Sequence, residues 1–250
     1  MTTAIIPSRW GSSRFEGKPL ALVNNRPMIQ RVMELARQSR TITRAVVATD
    51  DDRIFQAVAD FGGQAVMTET DLRSGTDRVA RTAELLEIPG DEIVVNIQGD
   101  QPFFNPELLD ELIQPFQEDK DLLMSTLAFR ITDQREITNP NDVKVCFDRN
   151  GWALYFSRAQ IPFPRDGQTD VDYFKHLGFY AYKMDFLTTL AGLPAGRYEQ
   201  IEKLEQLRVI ENGYAIKVVV TGHDSPEVDL PEDIPRIEQK LSGGHFTVHR

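Results

Sequence analysis

Thr3-Ala4-Ile5-Ile6-Pro7 runs directly into Ser8-Arg9-Trp10-Gly11-Ser12-Ser13-Arg14-Phe15-Glu16-Gly17-Lys18-Pro19-Leu20. The first five residues are a short apolar run stopped by proline, which reads as a buried strand. The loop that follows holds two glycines and three serines together with Arg9, Arg14 and Lys18. Backbone amides in such a loop can approach phosphate oxygens, and the three cations supply fixed positive charge, so the segment reads as a triphosphate cradle. A Walker loop does not fit, because five residues separate Gly11 from Gly17 and Pro19 stands where a magnesium-holding Ser or Thr belongs. The competing reading is a solvated loop with scattered charges. Three cations within ten residues of an acidic chain, directly after a first strand, weigh against it.

Outward from this loop, apolar runs alternate with helix-period segments, the pattern of a mostly parallel sheet covered by helices. Helices are predicted over 27–38, 51–61, 77–86 and 106–116, and strands over 45–48, 65–67 and 92–97. After about residue 120 long strand candidates appear at 122–131 and 143–147, and Asp148-Arg149-Asn150-Gly151 is a hairpin signal. These read as antiparallel additions to the parallel core, an extension over about 120–185. The Pro-rich stretch 161–172 reads as a surface excursion or subunit contact. A strand over 176–182, a helix over 201–211, a strand over 215–221, a helix over 231–241 and a fraying tail from 242 to 250 complete the reading.

Composition narrows the function. The 250 residues carry 28 Lys and Arg against 38 Asp and Glu, a net charge of −10, which argues against a nucleic-acid binder. No apolar run is long enough for a membrane span, and the N-terminus lacks the pattern of a signal peptide. A lone Cys146 excludes an internal disulfide and a Cys-based zinc site, so a reduced, cytoplasmic protein is expected. The length fits one domain, 1–250.

The N-terminal loop resembles the signature of sugar nucleotidyltransferases, most closely the 3-deoxy-D-manno-octulosonate (KDO) cytidylyltransferase family. The resemblance continues in order through Ala48-Thr49-Asp50-Asp51, Val66-Met67-Thr68, Ser74-Gly75-Thr76-Asp77-Arg78, Val95-Asn96-Ile97-Gln98-Gly99-Asp100 and Ala153-Leu154-Tyr155-Phe156-Ser157-Arg158. It ends with His176-Leu177-Gly178, Glu202-Lys203-Leu204-Glu205-Gln206-Leu207-Arg208 and Val228-Asp229-Leu230-Pro231-Glu232-Asp233, so it covers nearly the whole chain. It implies a three-layer, Rossmann-like α/β fold whose antiparallel extension makes a homodimer. It also implies transfer of CMP from CTP to an acidic octulosonate with release of pyrophosphate, for lipopolysaccharide biosynthesis.

In an open α/β sheet, ligands sit beyond the carboxyl ends of the strands. Asp100, closing the fourth strand, is placed to face the phosphates, and Mg²⁺ takes one or two carboxylates together with phosphate oxygens. On residue type alone Asp229 is a helix cap before Pro231; the resemblance makes it the second Mg²⁺ ligand. Ser74-Gly75-Thr76-Asp77-Arg78 reads first as an N-terminal cap, with Thr76 or Asp77 capping, and by resemblance as a base-recognition loop. Gln98 is expected to reach the same base or its ribose. Nucleotide contacts are thus expected from Arg9, Gly11, Ser12, Ser13, Arg14, Lys18, Ser74, Gly75, Thr76, Arg78 and Gln98, with Arg9, Lys18 and Asp100 as the catalytic set. The sugar contacts implied are Gln101, Arg158, His176, Glu205 and Gln206; without the resemblance His176 is a half-exposed histidine and Glu205 and Gln206 lie on a solvated helix face.

Three positions depart from the family pattern: Glu16 for Pro, with its charge expected to point outward, Ser8 for Ala, and Gln101 for Glu. The last keeps an 8-amino-3,8-dideoxy acceptor open, as well as a nonulosonic (sialic-type) acid. A catalytically silent nucleotide-binding protein is the reading from another class. Lys18, Asp100 and Asp229, all retained, discriminate against it.

Overall fold

Along the first strand, β1 (Thr2–Ser8), Ala4 and Ile6 enter one apolar cluster and Ile5 another, all fully buried. Successive side chains leave opposite faces of a strand, so a strand buried on both sides requires cover on both. The computed structural model describes residues 1–11 and 14–242; Ser12, Ser13 and the tail 243–250 named above lie outside the described residues. After β1 come a 3₁₀ turn (Lys18–Leu20), β2 (Leu22–Val23), β3 (Arg26–Pro27), α1 (Met28–Ala36), β4 (Arg44–Thr49), α2 (Asp52–Asp60), β5 (Ala65–Met67) and α3 (Gly75–Leu85). Then follow β6 (Ile93–Asn96), α4 (Glu107–Ile113), α5 (Pro115–Glu118), β7 (Met124–Arg130), α6 (Gln134–Thr138), β8 (Lys144–Phe147) and β9 (Ala153–Ser157). The chain continues with β10 (Phe174–Lys183), α7 (Met184–Gly192), α8 (Arg197–Glu202), α9 (Gln206–Glu211), β11 (Lys217–Thr221) and α10 (Asp233–Ser242).

The main sheet runs β11-β7-β10-β6-β1-β4-β5, with the β8–β9 hairpin attached to β10. Strands β5, β4, β1 and β6 are parallel, β10 is antiparallel to both β6 and β7, and β11 is parallel to β7. Helices α1, α2 and α4 cover one face through Ile29, Met33, Val58 and Leu109, and α3, α7 and α9 cover the other through Val79, Leu187 and Leu207. Because β10 is reversed between two strands of common direction, the starts of β10 and the ends of β1, β4, β6, β7 and β11 lie at one edge. The cationic loop, Ser74-Gly75, Gln98 to Asp100 and the segment carrying Asp229 all leave the sheet there.

The expected alternation and the antiparallel additions are present, and the 148–151 signal is the β8–β9 turn, with Gly151 at φ +78°. Two expectations fail, and one turn was not foreseen. The helix over 201–211 is two helices, broken at Lys203 in the left-handed region (φ +55°). The break is held from outside: Arg158 Nε donates to the Glu202 carbonyl (2.7 Å), and the Glu202 carboxylate accepts from Ser157 Oγ (2.6 Å) and Arg158 N (3.0 Å). The cap of α3 is neither Thr76 nor Asp77 but Ser74, whose Oγ accepts from Asp77 N (3.1 Å). The β2–β3 hairpin turns on Asn24-Asn25, both at positive φ, an Asn pair whose short polar side chains tolerate the left-handed region.

His176 on β10 is half-buried, its ring packed between Phe156 and Tyr180, both 5.2 Å away. The Thr126 hydroxyl donates to Phe179 O (2.7 Å), so its oxygen accepts from His176 Nε2 (2.9 Å), which fixes the neutral tautomer. Burial pushes the imidazole down to about 3. Between that value and the unfolded value near 6.5 the unfolded chain binds a proton that the native protein does not, so native stability is lost as pH falls through this window. His176→Gln removes that loss: relative to pH 7, the stability gap between wild type and variant narrows by about 1–2 kcal/mol at pH 5 in urea unfolding.

Candidate active site

The loop after β1 is shaped around Trp10. The Arg53 guanidinium lies 3.5 Å from the centre of the indole and is itself held by the Asp51 carboxylate at 2.9 and 2.7 Å. Trp10 Nε1 donates to Glu16 Oε1 (2.9 Å), so the unexpected glutamate is exposed and turned onto the loop's own tryptophan. Gly17 has φ +69°, and a Cβ there would lie 2.9 Å from the Trp10 ring. Only glycine meets both demands, and the turn it makes starts the 3₁₀ segment that aims Lys18 inward.

Lys18 Nζ donates to Asp100 Oδ2 (2.6 Å) and Val228 O (2.9 Å) and lies 3.8 Å from Asp229 Oδ1. Arg14 NH1 donates to the other Asp229 oxygen at 2.9 Å. Two carboxylates from distant parts of the chain thus converge on one ammonium. Asp229 is delivered by Val228, fully buried with Val23, Met28, Phe103 and Ile237, whose N–H also donates to Asp100 O (2.9 Å).

A cleft of about 300 Å³ opens beside these groups, lined by Pro7, Ser8, Arg9, Arg14, Lys18, Leu72, Ser74, Gly75, Arg78 and Gln98 to Asp100. The expected nucleotide residues therefore meet, with exceptions. Gly11 is exposed and does not line the cleft, and Thr76 faces the other way, into a cavity beneath Tyr180. Arg78 lines the cleft but is 3% exposed, with NH2 on Asp50 Oδ2 (2.7 Å) and NH1 on Thr68 Oγ1, so its guanidinium braces the wall. Gln98 donates to Gly178 O (3.2 Å) at a bulge in β10, where Gly178 has φ +75°.

The expected sugar residues divide. Glu205 and Gln206, with Thr76, line a cavity of about 10 Å³ under Tyr180 and Tyr182, and Gln206 Nε2 is buried there without a partner among the described residues. The volume is that of one water molecule. His176 touches the same Tyr180 ring. Arg158 reaches this region differently than expected: its guanidinium is bonded to the carbonyls of Glu202, Lys203 and Pro140 (2.7, 3.4 and 2.9 Å) and holds the turn that presents Glu205. Gln101 does not face the cleft. It is fully buried, and Nε2 donates to Leu177 O (2.6 Å) and Glu227 Oε1 (3.2 Å); the turn at Gly99-Asp100, closed by Gln101 N on Gln98 O (3.4 Å), leaves Asp100 on the cleft side.

Sequence reasoning missed Glu227, an exposed residue whose Oε1 accepts from Gln101 Nε2 (3.2 Å). The protein around its carboxyl and the negative charges of Asp100 and Asp229 push that group upward. Its signal was available only as one more acid beside the Val228–Asp233 motif. Asp50 and Arg53 were missed as braces for the same reason: a charge pair's partner is invisible before the fold brings it close.

Among the described residues no three Asp, Glu, His or Cys side chains could hold a metal by themselves. A divalent cation would draw on Asp100 and Asp229 and on substrate oxygens, and the donor set fits Mg²⁺, for which the Lys18 ammonium already marks a cation position between them.

The chain is 59% identical over 237 residues to the 3-deoxy-manno-octulosonate cytidylyltransferase of Desulfatibacillum aliphaticivorans, covering 95% of this chain and 97% of that one. It is 51% identical over 241 residues to the 8-amino-3,8-dideoxy-manno-octulosonate cytidylyltransferase of Shewanella sediminis (strain HAW-EB3), covering 96% and 98%. A solved structure of CMP:2-keto-3-deoxy-manno-octonic acid synthetase complexed with CTP superposes with a TM-score of 0.90 at 39% identity, covering 98% of this chain and 99% of that one. The family model described as Cytidylyltransferase matches residues 3–219, from the strand that launches the cationic loop to the one that precedes Asp229. The fold and cleft thus carry a known signature along almost their full length, and the chain belongs to the cytidylyltransferase family.

Proposed function

We propose that the protein activates 3-deoxy-manno-octulosonate with CTP, giving the CMP-sugar and pyrophosphate, in the cytoplasm and for lipopolysaccharide biosynthesis. The observation that carries this reading is the convergence of Asp100 and Asp229 on Lys18 at the mouth of a cleft of nucleotide size. A silent homologue has no need to keep this arrangement intact.

In the reaction the anomeric hydroxyl forms a bond to the α-phosphorus of CTP, the bond from that phosphorus to the β-phosphate oxygen breaks, and the hydroxyl proton is lost to solvent. The protein's task is positioning and charge neutralisation. Arg9, Arg14 and Lys18 line the phosphate side, and Arg14 and Lys18 exchange carboxylate partners for phosphate oxygens as the nucleotide enters. Ser74 and Gly75 border the base side of the cleft with Gln98. The neutral His176, with Glu205 and Gln206 about Tyr180, forms the acceptor side. Asp100 and Asp229 would hold Mg²⁺, which when bound supplies charge neutralisation at the phosphates.

The KDO acceptor is favoured over its 8-amino counterpart because the Desulfatibacillum protein, at 59% identity, is named for the former and the Shewanella protein, at 51%, for the latter. Pyrophosphate release measured with CTP, Mg²⁺ and a panel of octulosonic and nonulosonic acids is expected to be highest with KDO. Release with the amino sugar alone overturns the acceptor assignment, and release with no acid overturns the enzymatic one.

Asp100→Asn is expected to lower kcat/KM by at least ~100-fold with an unchanged circular dichroism spectrum, since a neutral amide is a poor Mg²⁺ ligand and leaves Lys18 without its closest partner. Near-wild-type turnover at saturating Mg²⁺ would remove Asp100 from the site. A homodimer is proposed through the antiparallel extension, where Leu154 and Phe163 are 59% and 78% exposed. Sedimentation is expected to give twice the 28.4 kDa chain mass, and a mass of one chain contradicts it.

A further inference from the structure

Lys175 takes no part in the chemistry above, yet it is 7% exposed and ion-paired twice. Its Nζ is 2.8 Å from Glu136 Oε1 on α6 and 2.9 Å from Asp224 Oδ1 on the segment that follows β11. Burial disfavours the ammonium, but the two carboxylates outweigh it and hold the group above the ordinary lysine range. A buried lysine with two charged partners is an anchored point, and Asp224 is what it anchors.

The segment between β11 and α10, residues 222–232, has no regular secondary structure. An irregular segment of this length has many conformations to lose, and each fixed point along it narrows them. Four residues separate Asp224 from Asp229. Downstream, Val228 N is bonded to Asp100 O, and Asp229 N and Leu230 N to Asp233 Oδ2 (both 2.9 Å). Upstream, His223 N is bonded to Thr221 Oγ1 (3.2 Å), and the His223 ring lies 3.3 Å from Asn105 Nδ2 and 3.4 Å from Glu107 Oε2. Between them Asp224 Oδ1 accepts from the amide of the buried Ser225 (2.8 Å) as well as from Lys175, and so ties the segment to β10, the strand that also carries the Gly178 bulge against Gln98 and Gln101.

We propose that Lys175 is a positioning residue, which through Asp224 sets the register of the 224–229 segment and so holds Asp229 opposite Asp100 and Lys18. Glu136 neutralises and holds the ammonium from the other side. The inference rests on Asp229 belonging to the reacting site, and its test reads the segment directly as well as through turnover. Lys175→Met is the poorer probe, because it leaves two carboxylates facing each other. Asp224→Asn keeps the volume and the Lys175–Glu136 pair.

Asp224→Asn is expected to raise the Mg²⁺ concentration for half-maximal turnover by about tenfold, with kcat at saturating Mg²⁺ little changed, as for the loss of an outer support of a metal ligand. In the nucleotide-free and metal-free protein, hydrogen exchange at the Val228, Asp229 and Leu230 amides is expected to accelerate by a similar factor. Glu136→Gln, which leaves the Lys175–Asp224 contact in place, is expected to lower the melting temperature without either change. Asp224→Ser, a smaller neutral replacement, is expected to repeat the Asp224→Asn result. Unchanged exchange at the three amides in both Asp224 variants overturns the proposal, as does Glu136→Gln matching them. If the wild-type protein turns over no acid, the functional reading fails while the exchange result still decides this one.

Discussion

The reversal of β10 between β6 and β7 is the constraint on which the rest of the molecule depends. A strand that ran the other way would present its Lys183 end to the cleft and carry His176, Leu177 and Gly178 to the far edge of the sheet. Running as it does, it sets the bulge at Gly178 beside Gln98, buries Gln101 against Leu177, and puts Lys175 within reach of Asp224. It also lets β7 and β11 share the direction of the parallel strands, so the segment bearing Asp229 leaves the sheet at the edge where β1 releases its cationic loop.

The electrostatics of the cleft follow from this common edge. The chain carries a net charge of −10, yet two of the three loop cations, Lys18 and Arg14, are paired with Asp100 and Asp229. Pairs of this kind keep carboxylates close together that would otherwise repel. Glu227 shows what happens to an acid there without such a partner. Beside two carboxylates, its carboxyl is pushed upward.

Two arginines expected as ligand contacts are bonded into the walls. Arg158 satisfies the carbonyls freed where α8 stops at Lys203, and Arg78 clamps Thr68 and Asp50. In both cases the reason lies in unsatisfied backbone or side-chain groups that arise only in the folded chain. The periodicity of 201–211 is helical throughout, and nothing in it announces a left-handed residue at Lys203; the break appears because Arg158 and Ser157, from another strand, bond the Glu202 carbonyl and carboxylate more favourably than a continued helix would. The Asn24-Asn25 turn, in contrast, was available in the residues themselves and went unread beside the more conspicuous loop.

Local chemistry in the sequence was sufficient for the alternation of strands and helices, the turn at 148–151, the cationic loop and the placing of Asp100 at a strand's end, since each depends on neighbours a few residues apart. Asp229 was legible only through its resemblance to a known motif. Tertiary structure alone decided that Asp100 and Asp229 meet on Lys18, that Gln101 turns inward onto Leu177 and Glu227, and that Thr76 faces Tyr180 instead of the cleft. Those outcomes depend on which strands lie side by side and in which direction, and contacts across 76 or more residues have no period or spacing by which the chain could announce them.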